Sequence, residues 1–258
     1  MRAGTPDDFD PRTICLSVDV EWASMAVLAD LRSLLDQRGL KATFFVTHDG
    51  VSLPGHERGI HPNFRRDGDV MKAFLAQATA ADDATIGEHV VAAFKRFAPE
   101  ARGVRAHSLH YDSTLLPVYQ RHGIEYDSSY QIPLVGGLTP FWKEHDLLEL
   151  PIYFNDYFEL KSAATACDLR NLNVEASGLK VINFHPNIVF LNAHSLAHYQ
   201  ATREFYHDPE RLLAARHDGK GVRTLVLDLL DRIVSARLPT MTLGEVNRVW
   251  RTAREARR

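Results

Sequence analysis

The stretch that most restricts what this chain can become is Ile14-Cys15-Leu16-Ser17-Val18-Asp19-Val20-Glu21-Trp22, an apolar run of strand length that ends by delivering two carboxylates. In an extended strand residues i and i+2 point the same way, so Asp19 and Glu21 share one face and Val18, Val20 and Trp22 share the other. Parallel α/β folds assemble their sites at the carboxyl ends of strands, which is where this run sets its acids. The competing account is that one acid caps the following helix and the other is simply solvated.

Downstream, strand and helix signals alternate, the pattern of a mostly parallel sheet. Residues 25–38 carry Val27, Leu28, Leu31, Leu34 and Leu35 on one helical stripe, with Gly39 as the stop. Residues 41–47 form a second buried strand. The Gly-, Pro- and His-rich segment 48–68 reads as a functional loop after it. Helices are expected over 70–80 and 85–97, the second entered through Asp82 and Asp83. Residues 103–107 form a short third strand whose spacing puts Arg105 and His107 on one face. A helix over 113–122 stops at Gly123, a strand follows at 124–126, and the Ser/Pro/Gly-rich segment 127–144 is expected as a loop at the mouth of the site. Residues 147–153 and 179–185 read as later strands, the second ending in His185-Pro186 much as the first ends in its acids. Residues 222–235 are strongly amphipathic, and Thr242-Leu243-Gly244-Glu245 is a capping-box pattern that opens a final helix.

Composition narrows the function classes. With 258 residues, 45% of them hydrophobic, the chain can bury a large core and reads as a single domain spanning 1–258. A net charge of -3 and the lack of a Lys/Arg cluster interleaved with aromatics argue against a nucleic-acid face. The basic tail with Arg251, Arg254, Arg257 and Arg258 also holds Glu255 and reads as the solvated side of a last helix. The first residues lack the apolar core of a secretory signal, and no apolar run suffices to cross a bilayer, so the expectation is a cytoplasmic protein without a transmembrane segment. Cys15 and Cys167 are unrelated in spacing and read as buried or semi-buried thiols.

Six stretches in this order carry a family resemblance: Ser17-Val18-Asp19-Val20-Glu21, Ala42-Thr43-Phe44-Phe45-Val46, Glu57-Arg58-Gly59-Ile60-His61, Gly103-Val104-Arg105, Tyr126-Asp127-Ser128-Ser129 and Asn183-Phe184-His185-Pro186. With them the chain resembles the polysaccharide deacetylases, the NodB-homology domains of carbohydrate esterase family four, and among these the divergent members of bacterial surface-polysaccharide (O-antigen) clusters. The resemblance implies an α/β fold, a distorted parallel (β/α) barrel with about seven strands. It also implies a divalent metal, in this family usually zinc, and a carbohydrate substrate such as a sugar nucleotide or lipid-linked saccharide.

The departures from the family pattern are informative. The family's metal is usually held by one carboxylate and two histidines a helical turn apart, yet Arg65 stands four residues after His61. An arginine stays protonated and has no lone pair to offer, so it cannot ligate a cation and is free for a substrate carboxylate or phosphate. His107, on the face of Arg105, is the expected replacement, with His110 in reserve. The ligand set implied is therefore Glu21, His61 and His107, leaving an open coordination position. Asp19 is then the general base, Arg105 orients it and keeps it ionised, and His185 is the general acid for the leaving amine. Most of the 13 histidines need no chemical role, since imidazole is common at surfaces. Trp142, Tyr153, Phe154 and Tyr157 are candidates for stacking on sugar rings, with half-burial as the plainer account. The activity implied is hydrolysis of an N-acetyl group on a sugar. A non-catalytic sugar-binding relative, or a metal-dependent deformylase or esterase on a similar barrel, stays open beside it.

Overall fold

The computed structural model describes residue 6 and residues 9–76 and 83–256. In chain order its first elements are β1 (Ile14–Asp19), α1 (Met25–Asp36), β2 (Thr43–Val46), β3 (Glu57–Ile60), α2 (Asp69–Leu75), α3 (Asp83–Lys95), β4 (Gly103–Val104), α4 (Leu115–Arg121) and β5 (Tyr126–Asp127). There follow β6 (Phe141–Trp142), β7 (Leu148–Glu149), β8 (Ile152–Asn155), α5 (Asp156–Ser162), β9 (Lys180–Phe184), α6 (Pro186–Leu191), α7 (Leu196–Gln200), α8 (Pro209–Ala214), α9 (Val222–Ser235) and α10 (Leu243–Glu255).

The strands form one sheet in the order β6-β7-β5-β4-β3-β2-β1-β9-β8, parallel except where β6 meets β7. The sheet curls: backbone groups of Tyr130, Ile132 and Leu134 bond to Ile152 and Tyr153 at 2.7–2.9 Å, tying the chain beyond β5 to β8. The result is the expected distorted parallel α/β barrel. Alternation along β1 divides its side chains between two cores. Ile14, Leu16 and Val18 face outward to the helices, while Cys15 joins Phe45, Tyr126, Ile152 and Val181 inside. Ser17 and Asp19 are therefore inward too, and both are buried. Cys15 and Cys167 are free, buried thiols. Among the described residues no helix is long and apolar enough to cross a membrane.

Several expectations need correcting. The sheet has nine strands rather than about seven. Pro151 divides the expected strand 147–153 into β7 and β8, because proline cannot donate to the ladder. The short antiparallel β6 lies in what read as loop, and β3 lies inside the expected loop 48–68. β3 escaped notice because its inward residue Gly59 has no side chain: a Cβ there would come within 2.6 Å of the Phe45 ring. Gly103 in β4 likewise makes room for Tyr126, whose ring a Cβ would strike at 2.0 Å. β1 stops at Asp19, and Glu21 and Trp22 take left-handed φ values of 49° and 55°. Glu21 is thus on a turn, and the i, i+2 strand geometry does not place it. The expected helix 70–80 is observed as α2; its end at 77–80 and Asp82 lie outside the described residues.

The amino end of the barrel is closed by α10, whose Leu243, Val246 and Trp250 join the inner core. The capping box forms as expected, Thr242 N–H donating to Glu245 Oε2 at 2.8 Å and Glu245 N–H to Thr242 Oγ1 at 3.3 Å. Glu57, at the start of β3, anchors this plug. Its carboxylate accepts from Thr43 Oγ1 at 2.7 Å, Gly244 N–H at 2.9 Å and Tyr126 Oη at 2.9 Å. Removing it strands three donors, so Glu57→Ala is expected to lower unfolding free energy by about 2–4 kcal/mol in denaturant titration. A loss under about 0.5 kcal/mol would show that water replaces the carboxylate freely.

Candidate functional site

At the opposite end of the barrel, the carboxyl ends of β1, β3, β4 and β9 converge on a buried arginine. Arg105 is fully buried and lies 4.4 Å over the Phe45 ring. Its Nε donates to Ser128 O at 2.7 Å, one terminal nitrogen to Ser128 Oγ at 2.7 Å, and the other to Ser17 Oγ at 2.9 Å and Asp19 Oδ1 at 3.0 Å. The latter nitrogen also donates to Asn183 Oδ1, and Asn183 Nδ2 in turn donates to Asp19 Oδ2 at 2.8 Å. Burial alone would raise the Asp19 carboxyl, but Arg105, His61 and His185 together hold it below the usual carboxylate range.

Beside Asp19 stand Glu21, His61 and His107, with one donor atom from each lying within 4.8 Å of the others. Glu21 Oε1 meets His61 Nε2 at 3.1 Å and His107 Nδ1 at 2.7 Å. Burial opposes ionisation of Glu21, yet the two imidazole hydrogen bonds carry its carboxyl well below the ordinary range. The turn that presents Glu21 is pinned from outside: Tyr206 Oη donates to Glu21 O at 2.8 Å, and Trp22 N–H donates to Thr47 Oγ1 at 3.0 Å. His107 comes from a chain that has left β4 but keeps its alternation, since Arg105 and His107 donate backbone N–H groups to Ile60 O and Pro62 O at 3.0 and 2.9 Å. The strand is shorter than expected, and the shared face survives. His61 is buried, and its Nδ1 has no hydrogen-bond partner among the described residues, lying 3.9 Å from Asp19 Oδ1. One carboxylate oxygen facing a nitrogen of each of two imidazoles fits a divalent transition cation such as zinc.

The other candidates stand elsewhere. His110 packs against the Phe64 ring at 5.4 Å and is not part of this cluster. Arg65 is exposed and paired with Asp67 at 3.0 Å. Trp142 lies at the far end of the barrel under the guanidinium of Arg254, at 4.1 Å, and Tyr153 and Phe154 are buried in the core. Only Tyr157 of the four aromatics reaches the site, 6.2 Å from His185 and 6.2 Å from Tyr199, which itself neighbours Tyr206 at 6.5 Å.

His185 completes the group, its Nε2 3.7 Å from Asp19 Oδ2. Its partner, Asp156, went unnoticed in the sequence. Asp156 is fully buried, receives His185 N–H at 2.7 Å and contacts His185 Nδ1 at 2.5 Å. A signal existed: Asp156 follows the apolar run of β8 as Asp19 ends β1, but Asn155 caps the next helix and offered a plainer reason for polar residues there. Burial would lower the His185 pKa, but the Asp156 carboxylate, aided by Asp19 and Glu21, pushes it up to about 9. Behind the His107 loop, Ser129 Oγ accepts Ala106 N–H at 3.0 Å and donates to Asp127 Oδ1 at 2.6 Å, and Lys143 bonds both Asp127 and Glu149.

A family model for WbmS-like polysaccharide deacetylases matches residues 16–203. Among solved structures the chain is similar to one described as a polysaccharide deacetylase involved in O-antigen biosynthesis from Bordetella bronchiseptica. The identity is 28% and the TM-score 0.73, over 85% of this chain and 90% of that one. A polysaccharide deacetylase from Mycobacterium smegmatis shares the fold at 15% identity and a TM-score of 0.55, over 97% and 95% of the two chains. A mutant of a family four pseudoenzyme from Bacillus anthracis does so at 11% identity and a TM-score of 0.51, over 95% and 69%. No curated protein matches.

The His185–Asp156 pair gives a pH signature. Because the folded pKa of about 9 lies above the ordinary 6.5, the stabilisation from the pair is complete below about 6.5 and is lost as pH rises through about 9. In chelator-treated protein, NMR titration should find His185 near that value, and Asp156→Asn should bring it to the ordinary value or below. An unchanged titration in Asp156→Asn would remove Asp156 as the cause.

Proposed function

The chain belongs to the WbmS-like polysaccharide deacetylase family, and from that membership we propose that it is a metal-dependent hydrolase that removes an N-acetyl group from a sugar of a surface-polysaccharide precursor. The observation that carries this reading is the convergence of Glu21, His61 and His107 beside a buried carboxylate, Asp19, and a charged imidazole, His185. Glu21, His61 and His107 would hold the cation. When bound, a divalent cation supplies Lewis acidity toward the acetyl carbonyl and lowers the pKa of a water.

The protein groups divide the proton work. Asp19, kept ionised by Arg105, takes the proton of the attacking water as the C–O bond forms. His185, kept protonated by Asp156, gives its Nε2 proton to the amine nitrogen as the C–N bond breaks. The amine is too basic to leave as an anion, so this second transfer is obligatory. Acetate and an amino sugar result. The two groups are held in opposite protonation states by their surroundings, the arrangement acid–base catalysis needs. Tyr157, beside His185, is placed to pack against the sugar. The resemblance to an O-antigen deacetylase supports a sugar nucleotide or lipid-linked saccharide as substrate.

A second reading, a sugar-binding relative without hydrolysis, is favoured by one observation: Arg65 occupies the place of the family's second histidine and points into solvent against Asp67. Metal content and turnover separate the two. His107→Ala should lose its metal to dialysis against a mild chelator, because only two protein donors remain, whereas His110→Ala and Arg65→Ala should keep it. Full retention in His107→Ala would end the case for His107 as a ligand. Asp19→Asn should keep metal while acetate release from an N-acetyl sugar panel falls by about 10²–10⁴-fold. Metal lost from Asp19→Asn would make Asp19 a ligand instead, and formate rather than acetate from the panel would change the acyl group.

A further inference from the structure

Away from the barrel mouth, three histidines come together from three segments: His194 before α7, His198 within it, and His217 in the loop leading to α9. Their ring centroids lie 4.7 Å (His194–His198), 4.3 Å (His194–His217) and 6.2 Å (His198–His217) apart. We propose that His194, His198 and His217 form a second site for a divalent transition cation, of the class that imidazole ligands select, such as zinc.

The tautomer of the neutral His198 ring is set by its partner. Its Nε2 lies 2.9 Å from Ala215 O, and a carbonyl can only accept, so Nε2 carries the proton. The neutral ring's lone pair is then on Nδ1, which is buried and has no hydrogen-bond partner among the described residues. A ligating histidine typically has this form, with one nitrogen held by a backbone carbonyl and the other left for the metal. Orphaned buried nitrogens are rare enough that each calls for a partner.

The loop bearing His217 is held in shape independently. Asn192, itself buried, donates through Nδ2 to His217 O at 2.7 Å and Gly219 O at 2.8 Å, and His217 N–H donates to Leu191 O at 3.0 Å. Any Cβ at position 219 would come within 2.5 Å of His217 Nε2, so the glycine keeps the space that the imidazole occupies. Imidazoles ligating one zinc at 2.0–2.1 Å have centroids on the order of 5 Å apart, within the spread observed. The nitrogens do not converge as closely as those of Glu21, His61 and His107. His194, exposed at its turn, is the member free to rotate inward. Arg216, the nearest guanidinium in sequence, is turned onto the Phe190 ring at 4.4 Å.

A cation here would fasten α7 to the 215–219 loop. Since α7 carries Tyr199, which meets Tyr157 and Tyr206 beside the catalytic groups, the staple would stiffen one wall of the mouth. The test removes the first site before reading the second. His61→Ala protein is loaded with zinc, passed through gel filtration in metal-free buffer and analysed for the element. About one equivalent per chain is expected, falling to near none in His61→Ala/His194→Ala and His61→Ala/His217→Ala. The exposed His194 can be replaced without disturbing the core, so a misfolded His217 variant does not decide the matter. Zinc should also raise the melting temperature of His61→Ala but not that of His61→Ala/His194→Ala. Near-zero zinc in His61→Ala, or equal zinc with and without His194, would overturn the second site and leave the first untouched.

Discussion

A fully buried guanidinium organises this protein. Arg105 has no solvent, so every donor must find an acceptor inside, and the acceptors come from β1, β9 and the chain beyond β5. Ser17, Asp19, Asn183 and Ser128 are thereby locked to one another across three segments. Taking one partner from such a buried pair typically costs about 3–5 kcal/mol, because the remaining charge is left uncompensated. The constraint also fixes chemistry. The carboxylate that balances Arg105 is the one standing beside Glu21, His61 and His107, and the ion pair holds Asp19 below the usual carboxylate range. The surroundings thus favour an ionised Asp19 and a protonated His185, the states that the proposed proton transfers use.

The legible parts of the sequence were those where one period ran uninterrupted. β1 announced itself by unbroken hydrophobicity because both of its faces are covered. The helix over 222–235 has the bounds its stripe implied, and the capping box at Thr242 forms as its spacing requires. β3 was obscure for the opposite reason. Its inward Gly59 leaves space that is filled by Phe45 from the neighbouring strand, so the packing signal is written in another strand's residue. Trp142 was misplaced because its segment read as a mouth loop, while pairing with β7 carries it to the amino end.

At the site, local spacing gave right groupings through partly wrong geometry. Arg105 and His107 share a face because backbone bonds to Ile60 and Pro62 continue the ladder past the end of β4. Glu21 faces His61 through a left-handed turn, held by Tyr206 from a distant segment, and no period in the sequence encodes that. Asp156 needed the tertiary fold to find its histidine. In the proposed ligand set His107, from a different motif, stands in for the family's second histidine, whose place Arg65 takes.

The central claim is that Glu21, His61 and His107 hold a divalent cation next to Asp19. Diffraction from crystals at a metal absorption edge tests it without reference to activity. The account predicts one anomalous peak about 2.0–2.3 Å from a carboxylate oxygen of Glu21 and from one ring nitrogen each of His61 and His107, with Asp19 outside bonding distance. A peak bonded by His110 in place of His107, or by Asp19 in place of Glu21, would contradict the ligand set. Zinc-loaded crystals with no peak among these side chains would contradict the metal centre itself.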